Sequence, residues 1–310
     1  MVVAGLPAFS ETSPCAGCHP AETQLHQKTR MAHAMTKGLD SAFARHLLSA
    51  PLRESAEGFQ LFYQPVAAGL QVTARRGDQT ASGVIEWVLG AGSQGQTPLV
   101  RAGDSVFESR VSYFPQLVRY GITIGQPAGN SASAEAALGL KQSHKDARSC
   151  LDCHATGVSQ NLEPVVPGVQ CERCHAGAEQ HALTRAPVGN PGKMSALDQV
   201  TLCGGCHRLT PPVDDRQVEN VRFQPLRLMK SRCFASGKLA CTTCHAAHLD
   251  AKRNDAAFYN EKCNTCHSSP ATGRHSDQRQ SGDCISCHMP VVQLHPALKF
   301  TDHYIRIAPR

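Results

Sequence analysis

Fourteen of the fifteen cysteines in this 310-residue chain fall into one pattern, C-x-x-C-H. It occurs at Cys15/Cys18/His19, Cys150/Cys153/His154, Cys171/Cys174/His175, Cys203/Cys206/His207, Cys241/Cys244/His245, Cys263/Cys266/His267 and Cys284/Cys287/His288. A histidine after every second cysteine would arise by chance on the order of once in a billion chains of this composition. Two thiols about a helical turn apart can form thioethers to the two vinyl groups of a haem, and the imidazole that follows reaches the iron as its proximal ligand. Seven covalent c-type haems are therefore expected. C-x-x-C is also half of a zinc site, but paired zinc knuckles give no reason for a histidine after each pair. The odd total excludes a closed set of intramolecular disulfides as the whole account.

A low-spin carrier haem needs a sixth ligand, usually His or Met, whereas a catalytic haem leaves that position to substrate. Nine histidines lie outside the motifs: His26, His33, His46, His144, His181, His248, His275, His295 and His303. They suffice to close every site. The fifteenth cysteine, Cys233, ends the stretch KSRC, which echoes KTRM ending at Met31. Cys233 reads either as a small buried hydrophobe or as the distal thiolate of one haem, foremost the fourth, whose flank CGGCHRLTPP offers no nearby His.

The composition asks for such cofactors. Only 5% of the residues are aromatic, and from Cys150 to His288 there are roughly 23 residues per haem, too few to build a protein core between them. The porphyrins are expected to be that core. The formal charge of +6 is offset by two propionates per haem, giving about −1 with all irons oxidised and about −8 reduced. The basic excess thus reads as propionate compensation, with Arg148, Arg173, Arg208 and Lys262 as counter-charges. No basic tract suggests a nucleic-acid partner. Covalent haem attachment takes place outside the energised membrane, so a periplasmic or extracellular location is expected, with a leader already removed. No stretch approaches the roughly 20 apolar residues of a transmembrane helix.

Three regions should position these residues. Residues 1–49 hold the first motif and a helical run, AETQLHQKTRMAHAM, with Leu25, Met31 and Met35 at amphipathic spacing. Residues 50–128 carry no motif and read as strands: GFQLFYQPV, GLQVTARRG, GVIEWVLG, PLVRAG, SVFESRVSYF and YGITIG. They predict a small antiparallel sheet with Trp87, acting as a spacer or haem cover, or else as a partner-docking surface. A Ser/Ala/Gly linker, PAGNSASAEAALGL, leads to the six-motif region, 129–310. There the motif starts are 21, 32, 38, 22 and 21 residues apart, and the spacings near 21 suit stacked haem pairs. The expected fold class is mainly α and irregular, a multihaem cytochrome c packed around its haems, with a small antiparallel β-rich insertion.

The stretches VQCERCHAGAEQH, CTTCHAAH, CHSSPATGRH followed by CISCHMP, FTDHYIRI, and WVLGAGSQGQTPLV in the β-region resemble the multihaem cytochrome c superfamily that includes the tetrahaem cytochrome of hydroxylamine oxidation and its larger relatives. The resemblance implies that His181, His248, His275 and His303 are distal ligands, with His144 another. His46 and His295 are set aside as ordinary side chains. In that family a His or Met on the helix after the first motif caps a haem. Here Met31 stands at the ligand position with His33 two residues on, and His26 is kept open. On a helix Met31 and His33 would face about 200° apart and could not serve one iron together.

The leading function is electron relay through mostly six-coordinate haems, between a redox protein donor and a redox acceptor, with no catalytic residue required. A rival is an oxidoreductase acting on a small nitrogen or sulfur compound at one open haem. The resembling nitrite reductases carry a Lys-for-His motif, which all seven motifs here lack. A third reading is a subunit of a homo-oligomer or haem filament.

Overall fold

The computed structural model describes residues 14–49, 58–210, 217–267 and 283–307. The chain divides into two compact units, Met1–Arg173 and Cys174–Arg310, the division falling inside the third motif.

The first unit is built on antiparallel strands: β1 (Met35–Lys37), β2 (Gln60–Val66), β3 (Gly69–Arg76), β4 (Gln79–Leu89), β5 (Thr97–Ala102), β6 (Ser105–Ser109), β7 (Val111–Phe114), β8 (Arg119–Ile122) and β9 (Gly139–Gln142). The seven-stranded sheet runs β2-β3-β4-β5-β6-β9 with β1 added to β4, and β7–β8 is a separate hairpin. Every run expected to be a strand contributes one, and SVFESRVSYF breaks into two at Arg110. The sheet also draws β1 and β9 from outside residues 50–128.

Alternation makes both faces of the sheet apolar. Along β3, Leu70, Val72 and Ala74 are buried at every second residue. They join Phe43, Leu47, Phe59, Ile85, Val100 and Phe107 in the main core, under α2 (Ala42–Ser49) and α3 (Ala134–Leu138). The neighbours Leu99 and Val106 point the other way, into a second cluster with Met35. A register shift between Ile85 and Trp87 lets Val88 rejoin the first face while Trp87 and Leu89 turn to the second. The expected linker is therefore not a plain loop. Ser133 caps α3 by accepting from Ala136 N at 3.1 Å, and Ala134, Ala137 and Leu138 are buried in the sheet core.

The first unit also contains α1 (Pro20–His26), α4 (His144–His154) and the hairpin β10 (Ala155–Val158)–β11 (Pro164–Pro167). The expected helix over 21–35 stops at His26. Thr29 Oγ1 donates to His26 O at 2.7 Å and accepts from Ala32 N, and residues 27–34 run as turns.

The second unit has short helices: α5 (Ala178–Thr184), α6 (Ala196–His207), α7 (Gln224–Met229), α8 (Arg232–Ala235), α9 (Cys241–Cys244), α10 (Ala256–Asn264) and α11 (Cys284–His288). One hairpin follows, β12 (Val291–His295) with β13 (Leu298–Thr301). Across the described residues, helices account for 36% and strands for 27%. The fold is mixed rather than mainly α, because each motif claims only a turn or so of helix while the sheet and three extra hairpins use whole segments.

Candidate haem centres

A C-x-x-C-H motif places its thiols at i and i+3 and its imidazole at i+4, all on one side of a helical turn. The backbone closes such turns: His19 N donates to Cys15 O at 2.8 Å, His245 N to Cys241 O at 3.1 Å and His267 N to Cys263 O at 3.0 Å. Two motif helices start alike. Ser143 caps α4 and Ser195 caps α6, each accepting from the backbone N three residues on and donating to that Asp (Asp146, Asp198) at 2.6 and 2.7 Å. None of the fifteen cysteines is in a disulfide. Among the described residues no three Cys, His, Asp or Glu side chains converge on a point where one metal ion could sit.

In the first unit the second motif is held by the sheet. Ala147 and Leu151 of α4 are buried against Leu99, Val106 and Met35, and the motif sits in the last turn of the same helix. His154 Nδ1 lies 2.7 Å from Ala34 O, a contact that fixes the ring and turns Nε2 outward. The turn over 27–34 also meets the approach to the third motif: Val169 N donates to Met31 O at 2.9 Å, and His26 Nε2 lies 2.8 Å from Val169 O. Gly168 (φ +79°) is required there, since a Cβ would fall 1.9 Å from Ala32 O. Cys15 and Cys171 are hydrogen-bonded, and burial together with Cys15 pushes the Cys171 thiol up to about 11.

Two similar contacts occur in the second unit. Cys203 is bonded to Cys241, which lowers the Cys203 thiol to about 7 and raises that of Cys241. Cys263 is bonded to Cys284, and burial together with that neighbour raises it to about 11. In each case a side-chain amide from the earlier motif's helix grips the later motif. Gln199, buried in α6, accepts from Thr242 N at 2.8 Å, and Asn260 of α10 accepts from Cys284 N at 3.0 Å.

The spacing of a motif makes no distinction between its two thiols, but the structure does. All three sulfur couples join the first cysteines of their motifs. Among the second cysteines, Cys18, Cys266 and Cys287 are exposed, while Cys153, Cys174, Cys206 and Cys244 are half-buried. All seven first cysteines, Cys150 included, are half-buried. Three residues along a helical turn carry a side chain about 300° round and about 4.5 Å along the axis, so the two sulfurs of one motif meet different surroundings. The neighbouring hydroxyls of Thr265 and Ser286 lie 3.9 Å from the Cys266 and Cys287 sulfurs.

Two histidine pairs of the second unit lie close together. The rings of His175 and His248 are stacked with centroids 6.1 Å apart and 23° between planes, and those of His245 and His303 are 6.2 Å apart and tilted by 35°. Two imidazoles bonded to opposite sides of one metal at about 2 Å would have centroids roughly 6 Å apart. The donor set thus fits a haem iron between each pair. Burial depresses the pKa of His245, and that of His303 to about 4, keeping both rings neutral and able to offer a lone pair. The Nδ1 atoms of His175, His181, His288 and His303 lie 2.7 to 3.0 Å from backbone carbonyls (Gly189, Ala186, Arg306 and Thr301), again presenting Nε2. His207 Nδ1 lies 3.3 Å from Gln224 Oε1.

The remaining candidates are placed differently. His144 and His33 are exposed with Nε2 on the carbonyls of Gln160 and Gln27. Met31 is half-buried, and neither it nor His33 lies on a helix. His46 is exposed with its ring 4.4 Å from that of the buried Tyr113, and His295 accepts from Ala297 N within its hairpin. His275 lies outside the described residues. Cys233 is half-buried.

What KTRM and KSRC share in space is the hydroxyl. Thr29 is 2% and Ser231 1% exposed, and each ties down backbone. Ser231 accepts from Ile305 N at 2.8 Å and donates to His303 O at 3.3 Å. Of the expected counter-charges, Arg148 and Arg173 are bonded to backbone carbonyls of Val158, Ser159 and Asp152, while Arg208 and Lys262 lie over Phe223 and Phe258.

Residues 123–176, which contain the second and third motifs, match the family model described as cytochrome c554 and c-prime. Multiheme cytochrome MtrA of Shewanella baltica (strain OS185) is 26% identical over 172 residues, 48% of this chain and 47% of that protein. The match therefore spans less than half of that relative's length. The crystal structure of the outer cell wall cytochrome OcwA aligns with 96% of this chain and 79% of its own at a TM-score of 0.53 and 15% identity, a likeness of fold. With the motifs, these likenesses support a multihaem c-type cytochrome carrying covalently bound haem.

Proposed function

We propose that this chain is a seven-haem electron carrier of the periplasm or cell exterior, relaying electrons between a redox protein donor and a redox acceptor through irons that are mostly six-coordinate. The observation that carries this reading is the pair of facing imidazole couples, because an iron closed on both sides passes electrons without binding substrate. In this reading each haem is bonded to both cysteines of its motif: Cys15 with Cys18, Cys150 with Cys153, Cys171 with Cys174, Cys203 with Cys206, Cys241 with Cys244, Cys263 with Cys266 and Cys284 with Cys287. His19, His154, His175, His207, His245, His267 and His288 are the proximal ligands. His248 closes the third haem and His303 the fifth. His181, His144 and His275 serve other irons, Met31, His33 or His26 supplies one more, and Cys233 is a candidate thiolate, foremost for the fourth haem.

Each thioether sulfur is bonded directly to a porphyrin edge. The three sulfur contacts therefore make haems one and three, four and five, and six and seven the closest neighbours in the relay. No helix among the described residues is long and apolar enough to cross a membrane.

Mass spectrometry of the intact protein counts the haems. Low-temperature EPR of the fully oxidised protein tests the function: the expected spectrum is low-spin and indifferent to nitrite and hydroxylamine. A high-spin ferric fraction that shifts with either compound would replace this reading with an oxidoreductase working at an open haem.

A further inference from the structure

Beyond the ligands themselves, the second unit contains a buried ionic cluster that no haem motif supplies. Asp302 is 2% exposed and accepts four hydrogen bonds. Its Oδ1 receives Arg227 Nε at 2.8 Å and Tyr304 N at 3.0 Å, and its Oδ2 receives Arg227 Nη2 and Arg306 Nη1, both at 2.7 Å. Both guanidinium groups also lie over the Tyr304 ring, 5.3 and 4.6 Å from its centroid. A carboxylate so fully satisfied fixes the backbone on both sides of it.

Two haem centres hang from that backbone. On one side is His303, whose ring faces His245 and whose Nδ1 lies 3.0 Å from Thr301 O. On the other is Arg306, whose carbonyl lies 3.0 Å from His288 Nδ1 and whose N donates to His288 O at 3.2 Å. Ser231 ties down the stretch between them. We propose that Asp302 is a positioning residue shared by two haems: it seats His303 opposite His245 at the fifth, and through Arg306 it supplies the carbonyl that orients His288 at the seventh. The inference rests on His303 and His288 being axial ligands.

The test uses the intact haem-loaded protein and compares Asp302→Asn with His303→Ala. Asn keeps the size of the side chain but leaves two arginines without their carboxylate. Asp302→Asn should convert about one haem's worth of ferric signal from low to high spin in EPR, and added imidazole should restore it by filling the vacated position. His303→Ala should give the same signal and the same rescue. A purely structural Asp302 would lower the melting temperature and leave the spin states alone.

If His303→Ala produces the high-spin signal and Asp302→Asn does not, the positioning role is wrong. If His303→Ala leaves every haem low-spin, the ligand assignment itself is wrong. Should Asp302→Asn fail to mature, Arg227→Lys decides: it keeps the charge but breaks the two-pronged geometry. A high-spin fraction of the same kind supports the proposal, and an unchanged spectrum overturns it.

Discussion

Residues 14–173 and 174–307 remove their chain from water by different means. Among the described residues, twenty-six of the thirty-two buried apolar side chains precede Cys174, and only Ala178, Val200, Val221, Phe223, Leu228 and Ala297 follow it. The earlier unit has a sheet packed on both faces. Both units bury polar groups, and in the later one Gln199, Asn220, Ser231 and Asp302, each at 2% exposure or less, stand beside few apolar neighbours. Six buried apolar side chains cannot offset the conformational entropy of more than a hundred ordered residues. On the proposed reading, the second unit takes the rest of its core from the porphyrins.

The strongest way to break that comparison is to withhold the haems. In a chain whose fourteen motif cysteines are changed to serine, hydrogen exchange should show near-complete loss of protected amides beyond residue 174, while β3 to β6 keep theirs. Equal loss in both units would mean that the sheet also depends on haem. Next in size, Leu151→Ala opens a cavity where α4 meets the sheet and should cost about 2–5 kcal/mol in denaturant unfolding. It should also disturb the spectrum of a haem attached at Cys150 and Cys153, which lie on that helix. A normal second haem in a destabilised protein would uncouple the sheet from its motif.

The matched caps allow a finer comparison. Ser143→Ala and Ser195→Ala should each cost about 1 kcal/mol, because both serines cap a helix that ends in the same motif. Clearly unequal costs in unfolding would show that the two units hold their motif helices differently. The smallest effect is a gain. Burial raises the pKa of Glu108 above its ordinary 4.5, against the pull of Gln126 Nε2 at 3.5 Å. Folding therefore disfavours the charged form, and the stability present at pH below 4.5 is lost as pH rises through the raised value. Glu108→Gln should stabilise the sheet by under about 1 kcal/mol at pH 7 and change nothing at pH 4, as read by exchange of β5 and β6 amides.

The strands are legible because β-branched residues alternate with polar ones between glycines, as at Leu70, Val72 and Ala74. The motifs are legible because their chemistry fixes the spacing, although spacing does not tell the exposed Cys18, Cys266 and Cys287 from the half-buried Cys153 and Cys206. The helix through Lys28–Ala34 is misjudged because Thr29 caps His26 with its own side chain, a competition that apolar periodicity does not register. The run AEAAL looks like linker because alanine carries no mark of burial, although Ser133 ahead of it is a usable cap signal. The ligand couples can be named singly but not paired. His248 lies three residues beyond its own motif and faces another, which depends on the path of the chain. Asp302 and Ser231 escape notice because both stand beside more conspicuous residues, His303 and Cys233.

The sulfur contacts also set the order of events during biogenesis. Cys15 and Cys171 belong to motifs at opposite ends of the first unit's sequence, yet their thiols are hydrogen-bonded. A thiol held against its neighbour is screened from a vinyl group it would have to attack. If both motifs carry haem, attachment at both has to precede closure of the chain around them, and the same would hold for Cys203 with Cys241 and Cys263 with Cys284. Loading would then act on an open chain, and a stall at one motif of a couple would leave its companion's neighbourhood unable to shut.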